Sequence, residues 1–232
     1  MPAKNSLKVY APNSYYHVYN RGVNKQAIFE DEQDYGVFLS YLKTYLLPRD
    51  ERALQEQLAD PRLSYKEKNK IVRILRLNNF SSEITLISYC LMPNHFHFLL
   101  KQTEPTSIDR FMNSLGTRYT MYFNKRYKRV GPLYQNVYKA VLVESEEQLL
   151  YLTSYIHRNP IKKLALKGDA FRAAILKQPS SYLEYLEERK TDWVHPKEVI
   201  NFFSRKNPRL SYQSFVEQAS DYSPIETVAI DL

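Results

Sequence analysis

Glu83-Ile-Thr-Leu-Ile-Ser-Tyr-Cys-Leu-Met-Pro-Asn-His-Phe-His-Phe-Leu-Leu-Lys101 decides the fold. Two β-rich runs, 83–91 and 96–101, flank Met92-Pro93-Asn94, whose Pro and Asn supply turn chemistry. They form the best strand pair in the chain. Side chains alternate faces along a strand, so His95 and His97 share one face, and Phe96, Phe98 and Leu100 the other. The aromatic and aliphatic side is the core side, which leaves the histidines on the open face. Two imidazoles placed so can reach one metal ion. Two exposed or hydrogen-bonded histidines on a half-wet strand are the alternative.

Around this pair the chain alternates strand and helix. Ser14 to Gly22 is aromatic and β-prone and closes on Asn-Arg-Gly, a strand and a turn. Tyr35, Phe38, Leu39, Leu42 and Leu46 recur at three- and four-residue steps, so 31–47 is an amphipathic helix stopped by Pro48. Residues 48–80 are charged and form an inserted helical pair, broken at Pro61. Its second member starts at the capping-box pattern Ser64-x-x-Glu67. Helix follows over 107–127, strand over 137–144, and a second capping box at Ser145-Glu-Glu-Gln148 opens a helix that Pro160 ends. The order β-α-(insert)-β-β-α-β-α is a ferredoxin-like α+β plan, an antiparallel sheet with helices on one face, plus the helical insertion and a helical C-terminal extension. The division is 1–179 and 180–232. The acid-only end, 210–232, is a free tail or folds over a basic groove.

Composition narrows the function. The chain has 232 residues, enough for a core without staples, and its hydrophobic and charged fractions, 44% and 25%, are those of a folded soluble protein. No apolar run reaches about 18 residues, and residues 1–12 carry no secretory h-region, so no membrane span or export is expected. One cysteine, Cys90, excludes a disulfide framework and a Cys-based zinc site within one chain. A net charge of +8 with 20 tyrosines suits a polyanion whose bases stack, unpaired nucleic acid above all. A tyrosine-rich surface on a basic housekeeping protein fits the same numbers. Residues 105–140 concentrate the pattern. Arg110, Arg118, Lys125, Arg126, Lys128, Arg129 and Lys139 stand against one acid, Asp109, with Tyr119, Tyr122, Phe123, Tyr127, Tyr134 and Tyr138 between them. Cations hold phosphates and rings stack bases. The alternative is that Tyr119 and Tyr122 are core and the cations a solvated helix end. Arg158, Lys162, Lys163 and Lys167 form a second basic run.

Tyr155 and Asn159 are four apart on one helix face, and His157 points elsewhere. Beside a metal, a phenol can attack a phosphodiester and form a phosphotyrosine, while an amide oxygen can complete a two-His site. A core tyrosine with an asparagine helix cap is the plain alternative. His17, on the first strand, packs or contacts nucleic acid; His195 is a surface histidine.

Met92-Pro-Asn-His-Phe-His-Phe-Leu-Leu100, Gly131-Pro-Leu-Tyr-Gln-Asn-Val-Tyr-Lys139, Tyr155-Ile-His-Arg-Asn-Pro160 and Tyr16-His-Val-Tyr-Asn-Arg-Gly22 together resemble the single-tyrosine transposases of the HUH endonuclease superfamily, most of all the REP-associated tyrosine transposases, kin of the smallest insertion-sequence transposases. The resemblance runs from about 14 to 165. It implies a metal-dependent single-stranded DNA endonuclease and strand transferase acting at hairpin-forming, repetitive inverted-repeat DNA through a 5′-phosphotyrosine on Tyr155. Mg²⁺ or Mn²⁺ would sit on His95 and His97, with Asn159 where the insertion-sequence branch carries Gln. The implied DNA contacts are Arg21, Arg118, Lys125, Arg126, Lys128, Arg129, Tyr134, Lys139, Arg158, Lys162 and Lys163; Val137 stands where many relatives carry Arg. A cytoplasmic, nucleoid-associated protein, monomer or homodimer, is the expectation. A non-catalytic binder of hairpin DNA or RNA on the same fold is the rival, and a phosphoesterase without a covalent step a third reading.

Overall fold

A computed structural model describes residues 10–161, 166, 168–218 and 223–226. Its centre is a four-stranded sheet of β1 (Ser14–Arg21), β2 (Ile84–Met92), β3 (His95–Gln102) and β4 (Lys139–Val143) in the order β2-β3-β1-β4. Every neighbouring pair is antiparallel. The first helix, α1 (Glu32–Leu46), joins β1 to β2, and α4 (Ser107–Arg126) joins β3 to β4. Each crossover skips one strand, which gives the ferredoxin-like α+β arrangement read from the sequence.

The caps explain where the helices begin. Asp31 accepts hydrogen bonds from the Gln33 and Asp34 amides at the start of α1. The insertion forms α2 (Glu51–Ala59) and α3 (Tyr65–Leu75); Ser64 and Glu67 make a full capping box on α3. The next helix, α5 (Glu146–Arg158), starts at Ser145, whose hydroxyl accepts from the Gln148 amide. The Gln148 carboxamide reaches back one residue further, to the amide of Glu144.

Both faces of the sheet are covered, so the histidine face is not open. On one side, Tyr16, Val18, Phe96, Phe98 and Leu100 pack against Phe38, Leu42, Phe111, Leu115 and Tyr119 of α1 and α4. On the other, Ile87, Cys90 and Leu99 pack against Leu152 and Ile156 of α5 and against the C-terminal extension. Alternation lets β2 serve both cores, and a bulge between Leu86 and Ser88 resets its parity so that Leu86 and Tyr89 face the same one. The sequence pattern of β3 placed its aromatic side in a core correctly. It did not show that α5 roofs the other side, because the apolar stripe of α5 could have met any partner.

After α6 (Gly168–Ile175), the extension comprises α7 (Tyr182–Tyr185), α8 (Lys197–Ile200) and α9 (Tyr212–Gln218). It covers the edge strand β2: the Leu91 amide donates to Pro179, the Ser181 amide to Tyr89, and the His195 amide to Leu86. Trp193 turns back onto Tyr89, with ring centroids 5.7 Å apart. Of the acid-only end, α9 and Ser223–Ile225 pack on α5, with Tyr212, Val216 and Ile225 buried. Residues 219–222 and 227–232 lie outside the described residues. Among the described residues no helix is long and apolar enough to cross a membrane.

Candidate active site

The turn before β3 fixes the first histidine. Asn94 donates its side-chain amide to the Lys25 carbonyl at 3.0 Å, so its Oδ1 faces His95 Nδ1 at 2.6 Å. Nδ1 of His95 therefore carries the proton and Nε2 the lone pair. That Nε2 lies 3.0 Å from Asn159 Oδ1. Two residues on, Asn159 Nδ2 lies 3.3 Å from His97 Nε2, and His97 Nδ1 lies 2.9 Å from His17 Nε2. With the amide turned over and the His97 proton on Nε2, these contacts are all satisfied between neutral side chains; with that proton on Nδ1, the lone pairs of both histidines face the amide.

Two imidazole nitrogens and one amide oxygen thus meet at one locus. Neighbouring ligands of an octahedral ion with bonds of roughly 2.1 Å lie about 3 Å apart, which matches the 3.0 Å between His95 Nε2 and Asn159 Oδ1. The donor set fits a divalent ion that accepts mixed N and O ligands. Among the described residues no group of three or more His, Cys, Asp or Glu offers a stronger site.

Tyr155 precedes Asn159 by one turn of α5. Its ring stands edge-on to His97 and His17, with centroids 5.7 and 6.0 Å away. It is only 2% exposed. The phenol is thus beside the histidines but covered. Tyr19, opposite His97 in the β1–β3 register, stacks on the same imidazole at 5.9 Å, and the Lys139 ammonium sits 5.7 Å from the Tyr19 ring. A cleft of about 110 Å³ opens over His95 and His97, edged by Arg21, Gln135, Asn136 and Lys139. The Gln135 amide donates to the Arg21 carbonyl at 2.9 Å, which holds the 133–136 segment against the end of β1.

The remaining sequence candidates divide. Lys125 and Lys128 are exposed at the end of α4, and Arg129 reaches back to Asn124. Arg126 is bound into the fold: its guanidinium pairs with Asp31 and with the fully buried Asp34, which also accepts from Tyr122 and Tyr127. Arg118 stacks on Tyr41 at 3.8 Å. Arg158 donates to the Val216 and Glu217 carbonyls at the end of α9, where a cation meets the helix dipole. All three have partners within the fold, which the sequence could not show because a cation in a string shows its charge and not its partner. Lys162 and Lys163 lie outside the described residues. Tyr134, within the 133–136 segment, is half-buried. His157 turns away from the cleft to Tyr212 and Ser181, and burial pushes its pKa down to about 3.

Two participants were missed or undervalued. His17 is wholly buried and supports His97, and Asn94 orients His95. The signal for His17 was its parity with Tyr19 and Arg21 on β1, which becomes informative only once β1 is known to pair with β3.

Residues 60–159 match the family model described as transposase, IS200-like. Over this stretch the chain is similar to the IS200-like transposases. The IS200-like segment contains α3, the β2–β3 hairpin, α4, β4 and α5, hence both histidines, Tyr155 and Asn159. A solved structure of a REP-associated tyrosine transposase bound to a REP hairpin is similar with 9% identity and a TM-score of 0.48, covering 83% of this chain and 97% of that one. No curated protein matches the chain.

Proposed function

We propose that the protein is a metal-dependent single-stranded DNA endonuclease and strand transferase acting at hairpin-forming DNA. The observation that carries this reading is the meeting of His95, His97 and Asn159 one helical turn from Tyr155, within the segment that matches the transposase family.

His95, His97 and Asn159 would hold Mg²⁺ or Mn²⁺. When bound, the ion supplies positive charge to a phosphate oxygen and helps hold the scissile group in line. The protein's own groups do the rest. Asn94 and His17 keep the imidazole lone pairs aimed at the locus. Arg21 and Lys139 flank the cleft and attract the backbone. The Tyr155 oxygen loses its proton and bonds to phosphorus; the bond from phosphorus to the 3′ oxygen breaks, and that oxygen leaves as a hydroxyl. Attack by another 3′-hydroxyl reverses the step, so no nucleotide cofactor is required. Because Tyr155 is covered in this state, the reaction requires α5 or the ring itself to shift when DNA binds.

The same burial favours a second reading, a hairpin-binding protein that does not cut. A labelled set of single-stranded hairpins with Mn²⁺ separates the two. An SDS-stable protein–DNA adduct, lost in Tyr155→Phe while binding persists, supports the enzyme. Tight binding with no adduct from the wild type across the set rejects it in favour of the binder.

A further inference from the structure

A second cavity, about 330 Å³, lies beside the histidine cleft and shares Asn20, Asn136 and Val137 with it. We propose that it is a pocket for one unpaired nucleobase of the strand lying across the histidine cleft. This rests on the reading of the protein as a single-stranded DNA-binding enzyme and adds to it a site for base selection.

The lining suits a base. Phe96, Met112 and Leu115 give an apolar floor, and Tyr134 stands edge-on to Phe96 with centroids 6.0 Å apart. Asn20, Asn113 and Thr117 place polar groups along the walls, the mixture of apolar surface and a few hydrogen-bonding groups that marks small-ligand pockets, whose volumes run from about 300 to 1,000 Å³. Gly116 leaves the space open: a Cβ there meets only Tyr134 Cε2, at 3.9 Å.

Tyr134 lines the cavity with its ring, while its hydroxyl is buried away from the open space. The shared wall at Asn136 and Val137 makes the occupant a nucleotide next to the one whose phosphate meets the histidines. A free small molecule would not need that continuity.

The test uses the full-length protein in EDTA, so that binding is read without cleavage. The probes are labelled (dT)15, (dA)15 and a 15-residue abasic strand of equal phosphate number. Gly116→Leu fills the pocket from a helical position without a backbone clash. It should weaken binding of the preferred base-bearing strand by roughly 5- to 100-fold, the range for losing one stacked base, and leave the abasic strand within about twofold. A 4-thiothymidine strand should photo-cross-link to Met121, Tyr134 or Tyr138. Equal loss for base-bearing and abasic strands, no loss in Gly116→Leu, or cross-links confined to other surfaces would overturn the pocket while leaving the DNA reading intact. If the wild type binds none of the strands, nor any member of the hairpin set, both fall.

Discussion

Replacing His17 probes the proposed metal locus from behind. His17 Nε2 lies 2.9 Å from His97 Nδ1 and accepts its proton whenever His97 Nε2 faces a cation; the two rings stack with centroids 5.1 Å apart, at 0% and 1% exposure. His17→Phe keeps the ring and removes the acceptor. Leaving the buried N–H unmet costs about 1–3 kcal/mol. The metal-free protein can avoid much of that cost by moving the proton of His97 to Nε2, against an Asn159 amide turned over to present its oxygen. That tautomer has no lone pair at the locus, so the cost reappears as lost cation affinity. At about 1.4 kcal/mol per decade, Mn²⁺ should bind roughly 10- to 100-fold more weakly, the range seen when such supporting groups are removed. His17→Gln restores an acceptor and should recover most of the loss. The assay is Mn²⁺ titration followed by the electron paramagnetic resonance of the free ion, with thermal unfolding run beside it. Wild-type affinity in His17→Phe, or equal weakening in the Phe and Gln variants, refutes the reasoning.

Other expectations follow from single contacts. Gly22→Ala places a Cβ 2.2 Å from the Gln26 carbonyl oxygen and 2.9 Å from Ile28 Cγ2, so the backbone must move; urea unfolding should show a loss of about 1–3 kcal/mol or more. Arg126→Gln should lower stability by about 1–3 kcal/mol, because Asp34 loses its charged partner, and leave the salt dependence of DNA binding unchanged. Lys125→Ala and Lys128→Ala should each reduce that salt slope by about 0.7, read from binding at several salt concentrations; an unchanged slope removes them from the interface. His157 is neutral in the folded protein, with its pKa pushed to about 3, while the unfolded chain takes up a proton below about 6.5. Its contribution is present above pH 6.5 and is lost as pH falls toward 3, by up to about 1.4 kcal/mol per unit. His157→Gln should flatten that part of the stability–pH curve, and an unchanged slope places the acid sensitivity elsewhere.

The sequence showed what local rules control. Alternation on β3, the capping residues at Ser64 and Ser145, and the stop at Pro48 act over a few residues, so hairpin, insertion and helix order were legible. Partners far along the chain were not. Nothing near Arg126 announces Asp34, 92 positions away, and nothing near His97 announces His17, 80 away. The tyrosine–asparagine spacing on α5 was visible, but whether that helix faced the histidines depended on the connection after β4. The burial of Tyr155 was likewise invisible, because a phenol and the groups that cover it come from different elements.

The boundary at 179 meets its hardest test in the second core. That core is built from one side of the sheet and from α5, with Ile87, Leu99, Leu152 and Ile156 all at 0% exposure. Tyr182, Tyr185, Val199, Ile200, Tyr212, Val216 and Ile225 complete it from the extension. Cutting the chain after residue 179 strips those side chains away and uncovers the edge of β2, while α5 also loses the groups that bind His157 and Arg158. Each large apolar side chain returned to water costs about 1.5–3 kcal/mol, and whole domains are stable by only about 5–15 kcal/mol. The 1–179 fragment should therefore aggregate or bind a hydrophobic dye without a cooperative unfolding transition. Since α5 carries Tyr155 and Asn159, its Mn²⁺ affinity should fall as well. A soluble 1–179 fragment that unfolds cooperatively at the full-length midpoint would show that the extension is a separate unit resting on a self-sufficient domain.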